Sequence, residues 1–134
     1  MAKIFDKLNL KDQSDILVLN ALESFDPELG QLPVLHIHRH IESVAEIGFL
    51  LAFVTSKSEV NALAPMIAAR AKGDAIVWFA YPKSTSKKYK CDFNRDTGWA
   101  ALKAAGFDTV RAIAIDEDWT ALRFRRMKFI KTSS

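Results

Sequence analysis

The chain has 134 residues, 49% of them hydrophobic, and a formal net charge of +3. A chain of this size buries about two thirds of its unfolded surface as one domain without cross-links. Its single cysteine, Cys91, excludes an intramolecular disulfide framework, and no apolar run approaches the ~20 residues of a membrane-spanning helix. Charge at Lys3, Asp6 and Lys7 comes too early for a signal peptide. A cytoplasmic protein is expected, one α/β domain over 1–134 with an N-terminal extension (1–13) and a mobile tail (131–134).

The first strand is read at Asp15–Asn20, bounded by Asp12-Gln13-Ser14 and by an acidic stretch ending in Asp26-Pro27. A second, Val34–His40, alternates. Leu35 and Ile37 share one face and His36, His38 and His40 the other, as in a half-exposed strand near an edge. Gly48–Val54 is continuously apolar and is taken as a third strand. Ser56-Lys57-Ser58-Glu59 has the spacing of a capping box and opens a helix to about Lys72, with Val60, Leu63, Ile67 and Ala71 as its stripe, Pro65 as an internal kink and Gly73 as its C-terminal turn.

Ala75–Tyr81 is an apolar run stopped by Pro82, which reads as a buried central strand. A short helix capped by Asn94 or Asp96 then runs through Trp99, Leu102 and Ala105 to Gly106. Val110–Ile115 and Ala121–Met127 close the chain as an antiparallel hairpin around Asp116–Thr120. Strands alternating with helices predict a three-layer Rossmann-like sandwich, its mostly parallel sheet closed by that hairpin.

The charge is unevenly divided. Residues 1–67 carry five Lys/Arg against nine Asp/Glu, whereas 68–134 carry fourteen against seven. The positive half can attract an anionic small molecule, an acidic protein surface or the chain's own acidic half; oligomeric state is not legible. Ligands of open α/β sheets bind at the carboxyl ends of the strands. That places a candidate anion or phosphate site in Lys83, Ser84, Thr85, Ser86, Lys87, Lys88, Tyr89 and Lys90, facing Asp116, Asp118 and Trp119 of the hairpin loop. The lysine loop lacks the glycine spacing of a phosphate-cradling loop, and Arg123, Arg125 and Arg126 alternate between faces, so a continuous nucleic-acid stripe is not expected.

Three histidines on one strand face suggest metal ligation, but same-face neighbours lie about 7 Å apart. No metal site is therefore expected, His36 and His38 being the nearest candidates. Cys91 lies beside Lys90 but has no evident base in sequence. Trp78 and Trp99 read as core, and Trp119 either stacks on a ligand or covers the hairpin end.

The order of elements from Asp15 to Met127, ending in an inserted antiparallel strand, resembles the class I S-adenosylmethionine (SAM)-dependent methyltransferases. At finer grain GDAIVWFAYPK (73–83), NRDTGW (94–99) and IDEDWTALRFRR (115–126) resemble a family of short uncharacterised bacterial proteins. The methyltransferase resemblance implies a cofactor pocket where Asn20-Ala21-Leu22, Phe53-Val54-Thr55 and Tyr81-Pro82-Lys83 meet, with Asn20, Ala21, Glu23 and Tyr81 as cofactor contacts. It also implies an acid for the ribose, for which Glu23 and Glu42 are available. Those enzymes follow their first strand with a glycine-rich turn, whereas here no glycine occurs before Gly30. The leading expectation is a cofactor-free binding or regulatory module; the alternative is a methyltransferase with a degenerate cofactor motif, and a third reading is a subunit that binds a partner or nucleic acid.

Overall fold

The computed structural model describes residues 15–21, 36–83, 86, 87, 89–91 and 99–129. Within them lie strands β1 (Asp15–Leu19), β2 (His36–His38), β3 (Ile47–Phe53), β4 (Ala71–Pro82), β5 (Phe107–Ala114) and β6 (Trp119–Arg126), and helices α1 (Lys57–Arg70) and α2 (Ala100–Ala104). Short 3-10 turns at Ile41–Ser43 and Met127–Phe129 follow β2 and β6. No helix among the described residues is long and apolar enough to cross a membrane.

The strands form one sheet in the order β2-β1-β3-β4-β6-β5. β1 to β4 pair in parallel, and β6 is antiparallel to both its neighbours, β4 and β5. Two strands that both oppose β6 must point the same way, so the ends of β1 to β5 and the start of β6 share one rim. The expected central strand is internal, as its apolar run requires.

The pleat divides the core in two. Leu50, Val77, Phe79, Leu122 and Phe124 face Val60, Ala64 and Ile67 of α1 and Leu102 of α2. Phe49, Leu51, Ile76, Trp78 and Ala121 lie on the opposite face, in a second buried cluster to which neither described helix contributes a buried residue. Sequences apolar on both faces are what such a doubly covered sheet demands.

The N-terminus of α1 follows the capping chemistry with one shift. Ser56 is extended (φ −141°, ψ 152°) and its hydroxyl accepts a hydrogen bond from Glu59 N at 3.3 Å. The Glu59 carboxylate, however, accepts from Thr55 N (2.8 Å) and Thr55 Oγ1 (3.1 Å), one residue earlier than a capping box prescribes. The far end departs further from expectation. α1 stops at Arg70 and passes directly into β4 through Ala71, which pairs with Ile47, so sheet pairing replaces a glycine cap.

Two arginines satisfy carbonyls near the end of α1 instead: Arg70 Nη1 donates to Met66 O, and Arg126 Nη2 reaches from β6 to Ala68 O and Ala71 O, both at 2.9 Å. Gly73 has φ +54° and sits in the irregular stretch of β4 between the Ala71↔Ile47 and Ile76↔Phe49 pairs. β5 begins at Phe107, three residues before its sequence-based start, because Phe107 is a fully buried anchor of the helix face.

β4 and β6 are also tied by charge. Arg125 donates through Nε and Nη2 to the two oxygens of Asp74, at 2.7 and 2.5 Å. These bonds, against a smaller opposing effect of burial, hold the Asp74 carboxyl below its ordinary value of 3.8. A carboxyl depressed by folding contributes stability that is fully present above the unfolded pKa and disappears as pH falls through the folded one. Urea titrations of wild type and Asp74→Asn should thus differ by a constant amount from pH 7 to about 5, and the gap should close below about pH 4. A gap unchanged at pH 3 rules the ion pair out as its source.

Candidate functional site

The order of strands reverses at β1, which has β2 on one side and β3 on the other. Open α/β sheets bind ligands at such a switch point, above the carboxyl ends of the strands. Asn20, the first residue beyond β1, has φ +56°, the only positive φ of a non-glycine among the described residues. Its Nδ2 donates to Phe53 O at the end of β3 (3.2 Å), and Val54 N in turn donates to Ala80 O of β4 (2.8 Å). The ends of β1, β3 and β4 are thereby stitched side by side, as the pocket expectation requires.

Asn20 is exposed and Ala21 half-buried at this joint. Tyr81, one residue before the end of β4, has its side chain buried on the helix face, edge-on to Trp99 at 5.6 Å. Glu42 is exposed in the 3-10 turn after β2, on the same rim because β2 runs parallel to β1. Glu23 and Leu22 lie outside the described residues, as do Ser84, Thr85 and Lys88 of the lysine loop.

The lysine and hairpin loops do meet, though not ammonium to carboxylate. Lys83 N donates to Asp118 O (2.7 Å), Ser86 Oγ donates to Asp118 Oδ1 (2.9 Å), and Ser86 Oγ accepts from Tyr89 N (3.2 Å). Asp116 Oδ1 accepts from Asp118 N and Trp119 N, both at 2.8 Å, and thereby shapes the hairpin turn. Neither Asp116 nor Asp118 is ion-paired with a lysine among the described residues. Lys87 and Lys90 are exposed and Lys83 half-buried.

Trp119 covers the hairpin end from within. Only 2% exposed, it meets Phe53 at 5.5 Å and Tyr89 at 5.1 Å, both edge-on, and its Nε1 has no acceptor among the described residues. Cys91 is half-buried against the helix-face core. His36 and His38 share the face of Asp15, with His38 Nε2 3.9 Å from Asp15 Oδ1, while His40 lies beyond the strand. No group of three metal-ligating side chains occurs among the described residues.

No protein-family model matches the chain, and no curated protein matches its sequence. Solved structures do. A SAM-dependent methyltransferase from Aquifex aeolicus matches with a TM-score of 0.64 at 12% identity, over 93% of this chain and 88% of that one. Magnesium protoporphyrin IX methyltransferase from Synechocystis PCC 6803, solved with bound S-adenosylhomocysteine (SAH), matches at 0.59 and 10% identity over 93% and 78%. Aeropyrum pernix fibrillarin with natively bound SAM matches at 0.56 and 9% identity over 84% and 66%. The chain has the class I methyltransferase-like fold, a Rossmann-like sandwich with antiparallel C-terminal strands.

These likenesses correct the expectation of a cofactor-free module, since structures with this fold hold SAM or SAH. Asn20 removes the steric objection drawn from the missing glycine. A glycine-rich turn supplies a left-handed backbone just past the strand, and Asn is the side chain that best tolerates that conformation. Asn20 is among the cofactor contacts that the resemblance implies, but its left-handed backbone is not legible from a count of glycines.

Proposed function

We propose that this chain is a SAM-dependent methyltransferase-like enzyme, with the cofactor lying across the ends of β1, β3 and β4. The observation that carries this reading is the Asn20 joint, a left-handed turn at the switch point of a methyltransferase-like fold. Bound SAM supplies an electrophilic methyl group. The backbone of Asn20 and Ala21 allows close approach of the cofactor, and Glu42 offers its carboxylate to the ribose hydroxyls. Lys83, Lys87 and Lys90 border the same rim and favour an acceptor molecule of negative charge.

Calorimetry and thermal melting with SAH test the reading. Binding is expected, with the melting temperature rising as ligand exceeds its dissociation constant. Glu42→Gln should weaken SAH binding about tenfold, the value of one charge-assisted hydrogen bond. No heat and no melting shift at about 1 mM SAH, where even millimolar affinity is detectable, overturn the proposal; unchanged affinity of Glu42→Gln removes only the role of Glu42.

A further inference from the structure

We propose that Arg111 and Arg123 form a phosphate-binding site on the sheet face opposite the described helices α1 and α2, separate from the strand-end rim. One row of directly paired residues crosses five strands there: Val18, Leu51, Trp78, Arg123 and Arg111. The first three are fully buried, and the row then changes to two directly paired arginines at the β5 edge. Residues directly opposite on antiparallel strands hold their Cβ atoms about 4.5–5.5 Å apart, where like charges destabilise the pair.

The neighbouring rows do not share this cost. On one side Ala80, Ala121 and Ile113 are apolar. On the other, Arg125 stands opposite Asp108 and is chelated by Asp74. Among the described residues neither Arg111 nor Arg123 makes an ion pair, and Arg123 Nε is buried with no acceptor. Burial, then Arg125, and more weakly Arg111, all disfavour the charge on Arg123, with Asp74 alone opposing them.

The placement of Arg111 depends on a bulge. Thr109 pairs with Phe124 on the helix face, whereas Arg111, two residues on, pairs with Arg123 on the opposite face. Regular alternation puts residues i and i+2 on one face, so the extra residue at Val110 re-aims Arg111 toward Arg123. Two planar donor forks on paired residues of one face, one with an unfilled buried N–H, suit a tetrahedral oxyanion with several acceptor oxygens and up to two charges. The phosphate can belong to a small phosphorylated molecule or to the backbone of a nucleic acid.

The test uses the full chain in phosphate-free buffer, with inorganic pyrophosphate and a single-stranded RNA 12-mer as probes. Pyrophosphate is expected to raise the melting temperature of wild type, and Arg111→Gln to weaken its binding at least tenfold. Because Arg111 is exposed and repelled by Arg123, Arg111→Gln alone should melt slightly higher than wild type without anion. RNA binding that is Arg111-dependent and loses about one unit of salt slope in Arg111→Gln assigns the phosphate to a nucleic-acid backbone; Arg111-dependent pyrophosphate binding without it assigns a small molecule. The site is ruled out if neither Arg111→Gln nor Arg123→Gln weakens either probe, or if Arg111→Gln melts lower in the absence of anion.

Discussion

Replacing Trp119 by alanine is expected to destabilise the protein by about 3–5 kcal/mol, the usual cost of emptying a large aromatic site in a core. The indole is 2% exposed and joins three elements: its own hairpin, Phe53 at the end of β3 and Tyr89 of the lysine loop. Truncation to alanine therefore removes contacts to both of these rings at once.

Trp119→Phe separates packing from hydrogen bonding. It keeps an aromatic ring and removes a buried N–H for which no described residue provides an acceptor. Leaving such a donor unmet costs about 1–3 kcal/mol, which offsets part of the lost area. The phenylalanine variant should therefore lose less than half of what the alanine variant loses in urea unfolding. An alanine variant within about 1 kcal/mol of wild type, far below the cost of emptying a core site, rules Trp119 out as the keystone of this corner.

The elements legible in the sequence were those whose signal is local. Ser56 with Glu59 announces a helix start because side chain and backbone three residues apart satisfy one another. The run through Val77, Trp78 and Phe79 announces an internal strand because only a strand covered on both faces tolerates it. From the direction of that strand came the meeting of the lysine and hairpin loops. The bonds between those loops come from the Lys83 amide and Ser86 hydroxyl to Asp118, since exposed ammonium groups gain little from pairing in water.

What stayed hidden depends on partners distant in sequence. Lys72-Gly73 after a helix looks like a C-terminal cap, yet Ala71 finds a β3 partner and the chain continues as strand. Asp74 and Arg125 lie 51 residues apart, and nothing local marks them as a pair. The bulge at Val110 shifts the alternation of β5, so face assignments made by counting in twos fail across it. Asn20 is an intermediate case. Its residue type is a cue to left-handed backbone, but the cue acquires meaning only when the end of β3 is seen beside it.

That position carries the second large effect. Valine at 20 places a β-branched side chain at φ +56°, a conformation that costs about 1–3 kcal/mol, and also removes the hydrogen bond to Phe53 O, worth about 1 kcal/mol. Asn20→Val should lose about 2–4 kcal/mol of stability and, on the proposed function, all measurable SAH binding, because the turn under the proposed cofactor site has to reshape. Glycine separates backbone from side chain. Asn20→Gly retains the left-handed turn and loses only the hydrogen bond, so it should cost about 1 kcal/mol and keep SAH affinity within a fewfold of wild type. If both variants abolish binding equally, the carboxamide rather than the turn is what the ligand needs, and the equivalence of Asn20 with a glycine turn is wrong. If neither changes binding, the cofactor does not lie over the end of β1.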